Sequence, residues 1–153
     1  METADITVAS LLAAPADVVW AHATTPAGVN RELWPLVRMT FPRHVGALTP
    51  DTVPLRERIC RSWVLLFGVL PVDYDDLTLV ALAPGRFLER STMLSQRRWE
   101  HERTVTSDPR GCRVTDRVCF EPRVGALKPL YRPIFRAAFA LRHRNLRRLF
   151  GPA

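Results

Sequence analysis

The chain has 153 residues, 47% hydrophobic and 24% charged, which suits one domain with one core and excludes wholesale disorder. The formal net charge is +7, yet residues 1–123 balance fifteen Arg against fifteen Asp or Glu. The whole excess lies in Lys128, Arg132, Arg136, Arg142, Arg144, Arg147 and Arg148. No stretch approaches the roughly eighteen apolar residues of a membrane span, and the N-terminus lacks the basic start and apolar run of a signal peptide, so a cytoplasmic protein is expected.

Asp5 to Leu12 alternates in polarity and reads as a strand. In AAPADVVWAHATTP, Pro15 suits a first helical turn, Asp17 favours its positive end, and Pro26 stops the helix. A second short helix is expected over Ala27 to Leu36. Residues 41–54, with three prolines and a glycine, read as loop. Ile59 to Phe67 fits either periodicity. Its β-branched and aromatic content favours a strand that presents Trp63 inward. Strands follow over Asp73–Leu82, Phe87–Leu94, Arg97–Thr106 and Cys112–Glu121, with SDPRG as a hairpin loop. The end is helical. Leu127, Leu130, Tyr131, Ile134, Ala138, Leu141, Asn145 and Leu149 make one face, and Lys128, Arg132, Arg136, His143 and Arg147 the other. Pro129 and Pro133 predict an irregular entry, then a clean helix from about Pro133 to Phe150. Such a helix spans on the order of 27 Å, enough to cross a sheet.

Four segments carry a family resemblance. They are ASLLAAPADVVWAHAT, GRFLERSTMLSQRRWEHERTV, GCRVTDRVCFEP and FRAAFALRHRNLRRLF. In this order they resemble the START and pollen-allergen superfamily, also called SRPBCC. The resemblance implies an α+β helix-grip fold spanning residues 1–153 as a single ligand-binding domain. A curved antiparallel sheet of about six strands would wrap a long C-terminal helix, with two short helices after the first strand. It also implies an apolar pocket between sheet and helix. Known members include lipid carriers, hormone receptors and polyketide aromatase/cyclases.

Strand parity places one polar cluster inside. Trp99, His101, Arg103 and Val105 share a face, while Arg98, Glu100, Glu102 and Thr104 belong in solvent. In the next strand Val114, Asp116, Val118 and Phe120 face inward. Folding the hairpin at Asp108–Pro109 sets Asp116 opposite His101 or Arg103, depending on loop length. An inward carboxylate needs a partner. Two readings follow: the cluster satisfies only itself, or it lines a pocket and offers polar groups to a ligand.

The expected ligand-binding set is Trp63, Trp99, His101, Arg103, Asp116, Val118, Phe120 and Ile134. No catalytic residue, cofactor or metal is assigned. Cys60, Cys112 and Cys119 are odd in number with no CxxC pair, DYDD (73–76) lacks a calcium-loop pattern, and the four histidines lack metal spacing. RHRNLRR is basic but has no aromatic interleaving, which speaks against nucleic acid. The leading function is a carrier or sensor of a small apolar or aromatic molecule. Alternatives are a polyketide aromatase/cyclase- or dehydratase-like enzyme, and an interaction module whose basic C-terminal helix meets an anionic membrane surface.

Overall fold

The computed structural model describes residues 4–153. Ile6–Leu12 forms β1, followed by helices α1 (Ala16–Ala23) and α2 (Pro26–Leu33). Thr25 caps α2, its hydroxyl accepting the Gly28 N–H at 3.0 Å, and Pro26 occupies the first turn. The second helix is therefore shorter than expected. Its end frees a three-residue strand, β2 (Val37–Met39). Asn30 of α2 holds that strand in place, bonding both the N–H and the carbonyl of Met39.

The remaining strands are β3 (Arg58–Leu66), β4 (Leu70–Ala83), β5 (Arg86–Met93), β6 (Gln96–Asp108) and β7 (Gly111–Pro122). They make one antiparallel sheet in the order β1-β7-β6-β5-β4-β3-β2. β2 is the strand that brings the expected six to seven, and three residues are too few to show a period. The β6–β7 hairpin turns tightly at Pro109 and Arg110, with Asp108 paired to Gly111. Gly111 is required there: its φ is +144°, and a Cβ would lie 2.0 Å from the Leu12 carbonyl oxygen.

A 3-10 turn, Gly125–Leu127, leads into α3 (Lys128–Phe150), which crosses the covered face of the sheet. Pro129 lies in the first turn, where a missing N–H costs nothing. The helix continues through Pro133, five residues earlier than the expected clean start. No helix among the described residues is long and apolar enough to cross a membrane.

Two expectations about direction are corrected. Trp63 points outward and is 41% exposed, because the inward row of β3 is Cys60, Ser62, Val64 and Leu66. The outer row makes its own ladder. Trp63 meets Tyr74 edge-on at 5.3 Å, and Arg61 stacks on the same ring while pairing with Asp76. Hydrophobicity alone misassigns a strand whose outer face is aromatic. The inward face of α3 is also rotated from the expected one. Phe139, Arg142, His143 and Leu146 are buried, with Phe135 and Phe150 packed beside the core, whereas Leu127, Leu130, Ile134 and Leu149 remain exposed. His143 therefore faces in, not out. The sheet presents buried carboxylates at that level, and the helix covering them supplies the cations.

Candidate functional site

Where α3 crosses the sheet, seven polar side chains from five elements form one buried network. Arg103 (β6) stands opposite Asp116 (β7) in the ladder, one of the two expected pairings, reached here through a two-residue turn. Its guanidinium grips Asp116 in a fork: Nε donates to Oδ1 and Nη2 to Oδ2, both at 2.8 Å. The same guanidinium reaches Glu32 of α2, with Nη1 donating to Oε2 at 2.9 Å and Nη2 lying 2.7 Å from Oε1. Arg142 Nε donates to Glu32 Oε1 at 3.1 Å. His101 and His143 place their Nε2 atoms 2.6 and 2.7 Å from the two Asp116 oxygens. Ser10 of β1 closes the chain at 2.8 Å from His143 Nδ1 and accepts from Arg147.

Arg103, Asp116, Glu32 and His143 are wholly removed from solvent. Burial alone would push the Asp116 carboxyl up, but Arg103 and then His101 overcome it and hold it well below the usual carboxylate range. Glu32 is lowered in the same way, burial being outweighed by Arg103 and Arg142. Burial opposes the Arg103 charge too, and the two carboxylates reverse that and raise its pKa.

Beside the network lies a cavity of about 400 Å³ between α3, α2 and β2–β6. Its walls are largely aliphatic and aromatic, with Leu33, Leu79, Phe87, Met93, Trp99 and Phe139 among them. Besides Tyr131, five ionisable groups reach it: Asp73, Asp75, Glu89, His101 and Arg142. His101 is held between Phe87 and Phe139, edge-on at 5.1 and 4.9 Å, while Asp116 anchors its far nitrogen. The ring is fixed in orientation at the boundary between network and cavity.

Of the expected residues, Trp99, His101 and Ile134 lie in the cavity wall. Arg103 and Asp116 stand behind His101. Val118 and Phe120 pack with Ile6, Met93, Trp99 and Phe139 in the core. Trp63 is on the other side of the sheet. Sequence reasoning missed Glu32, Arg142, His143, Asp75 and Glu89. For the last two a signal existed: Asp73, Asp75, Leu77 and Leu79 alternate on one face of β4, as do Phe87, Glu89, Ser91 and Met93 on β5. All three cysteines are buried and form no disulfide. Among the described residues no group of three or more His, Cys, Asp or Glu is arranged to hold a metal ion.

Residues 10–150 match the family described as Domain of unknown function (DUF8410). The chain belongs to this family. No curated protein matches it. Solved structures place this DUF8410 chain in a wider fold group. A Chromobacterium violaceum protein superposes with a TM-score of 0.73 at 15% identity, covering 97% of this chain and 98% of its own. A START superfamily protein from Mycobacterium smegmatis gives 0.67 at 10% identity, covering 92% of each chain. A protein of the dynemicin biosynthetic locus gives 0.57 at 16% identity, over 95% of this chain and 48% of its own. At such identities the likeness is one of fold, and the fold is the helix grip.

Proposed function

We propose that this DUF8410 protein binds a small, mainly apolar or aromatic molecule in the cavity between sheet and α3 and performs no chemistry on it alone. The observation that carries this reading is the cavity itself: about 400 Å³, apolar over most of its wall, with a few polar groups at defined points. Wells of this size and lining suit small-molecule ligands. The START-superfamily neighbour has the same fold.

Native mass spectrometry after gentle purification tests the reading, followed by a thermal-shift screen of fatty acids, sterols, flavonoids and polyketide-like aromatics. A ligand at a hundred times its Kd stabilises the folded state by about 2.7 kcal/mol, roughly 5–10 °C for a chain of this length. Ala138 lines the cavity from α3. Ala138→Phe should fill the space and remove the ligand-induced shift while leaving the unliganded melting temperature within a few degrees of wild type. Unchanged ligand shifts in that variant would put binding elsewhere.

One observation favours a second reading, polyketide aromatase/cyclase- or dehydratase-like catalysis. His101 opens on the cavity with a carboxylate behind it, the arrangement by which an imidazole is oriented for proton transfer. Turnover of a poly-β-keto thioester that vanishes in His101→Gln would establish it. Binding without turnover leaves the carrier.

The basic helix supports docking on an anionic membrane surface. Lys128 and Arg132 pair with Asp5, Arg142 with Glu32, and Arg147 with Ser10. Arg144 and Arg148 instead share an open groove with Arg31, Arg38 and the 55% exposed Trp34. Each such charge contributes about 1 kcal/mol at an anionic surface, screened by salt. Co-sedimentation with phosphatidylserine vesicles should therefore fall sharply in Arg144→Ser/Arg148→Ser and at high salt. Retention that ignores both would leave the groove an idle solvated face.

A further inference from the structure

The acidic wall of the cavity begins beside the part read from the sequence, because Glu89 of β5 pairs with His101 of β6. Asp75 (β4) sits beside Glu89 and Ser91 (β5) and two residues from Asp73. The other carboxylates of this wall are provided for. Asp73 accepts from the Tyr74 and Ser95 backbone N–H groups at 2.8 and 3.1 Å and from the Ser95 hydroxyl. Glu89 accepts from the Ser91 hydroxyl at 2.7 Å. Asp75 differs. It is 4% exposed, it lines the cavity, and its Oδ1 has no hydrogen-bond partner among the described residues.

We propose that the Asp75 carboxyl supplies the hydrogen-bond acceptor that anchors the bound molecule, and that this molecule is an apolar or aromatic compound carrying a neutral hydroxyl. The inference rests on the cavity being the binding site. Its chemistry follows from the pairing of two buried carboxyls. Burial, then the neighbouring Glu89 carboxyl, pushes the Asp75 pKa well up, which favours its protonated form. A protonated acid beside a carboxylate donates its O–H to that carboxylate, and its other oxygen is left carbonyl-like. That oxygen is an acceptor in an apolar enclosure, and it selects a donor. A phenol or alcohol meets it without bringing charge into the cavity. A free carboxylate is repelled here by Glu89 and Asp73. An ammonium must be stripped of water in a cavity that Arg142 also faces.

A matched pyrene series tests this by fluorescence titration at pH 7, with pyrene, 1-hydroxypyrene, pyrene-1-carboxylate and 1-pyrenemethylammonium as probes. If pyrene itself fails to bind, the cavity reading falls. If pyrene binds, the comparison addresses Asp75 alone. Expected is that 1-hydroxypyrene binds roughly three- to tenfold more tightly than pyrene, the size of one net hydrogen bond. Asp75→Leu should bind both equally. Asp75→Asn should keep the advantage, because its amide can donate to Glu89 and still turn a carbonyl oxygen to the cavity. If the leucine variant does not fold, the asparagine variant still decides. Equal affinities for pyrene and hydroxypyrene in wild type would overturn the assignment. So would tighter binding of the carboxylate or ammonium probe, or loss of the hydroxyl advantage in Asp75→Asn.

Discussion

Arg103→Met is expected to destabilise the protein by about 3–5 kcal/mol, the range seen when one partner of a buried ion pair is removed. Arg103 is the only residue to bond both Glu32 and Asp116 among the described residues, and all three are wholly buried. Methionine fills much of the same space but leaves two carboxylates facing each other with one guanidinium, Arg142, beside Glu32. Domains are stable by only about 5–15 kcal/mol, so the loss is a large share of the whole. Glu32→Gln and Asp116→Asn added to Arg103→Met should recover most of it, because the cost is uncompensated charge and not lost volume. Urea unfolding followed by circular dichroism measures the single and the triple variant against wild type. A cost under about 1 kcal/mol for Arg103→Met alone would mean that the network tolerates open charge, and this account of it would be wrong.

Acid should unfold the protein steeply for the same reason. Glu32 and Asp116 have pKa values lowered in the folded state, so their contribution is full above the ordinary carboxylate range, near pH 4, and is lost as pH falls toward the depressed values. Each group that gains a proton only on unfolding adds up to about 1.4 kcal/mol per pH unit. Asp75 works in the opposite sense. Its pKa is raised, so its contribution is full below the ordinary value and declines as pH rises through the raised one. The charged groups facing it are Glu89 and Asp73 on the same wall, with His101 and Arg142 also reaching the cavity. Stability should thus peak on the mildly acidic side. Urea midpoints in steps from pH 3 to 8 test this. Asp75→Asn should flatten the fall at higher pH, and the variant lacking Arg103, Glu32 and Asp116 charges should lose the acid limb. An acid limb identical in that variant and wild type would assign the titration to other carboxylates.

The part of the site that could be read beforehand was the part governed by local rules. A two-residue period and a short hairpin loop bring Asp116 to His101 and Arg103, whatever the rest of the chain does. The other half comes from far away. Glu32 lies 71 residues from Arg103, and His143 lies 133 from Ser10. Nothing in the local pattern of a helix tells which stripe will meet a buried carboxylate. Apolarity favoured Ile134, which is 50% exposed, over Arg142 and His143, which are not. Trp63 failed for a related reason: either face of β3 can be read as apolar, and the pairing of Arg61 with Asp76 that settles the parity lies across the ladder on another strand. Asp75 and Glu89 were within reach, since both interrupt inward rows of period two.

The five-element network also bears on how the chain is made. Synthesis is vectorial, and most of the sheet emerges from the ribosome before the residues that neutralise its interior. A nascent chain stalled before residue 142 holds Glu32, Arg103 and Asp116 but neither Arg142 nor His143, and β1 must wait for β7 to supply Val118 opposite Ile6. Closing the sheet early would bury charge with half its partners missing. Folding is therefore expected to be committed only when α3 docks. Chaperones would meet an open, half-wet sheet until that moment.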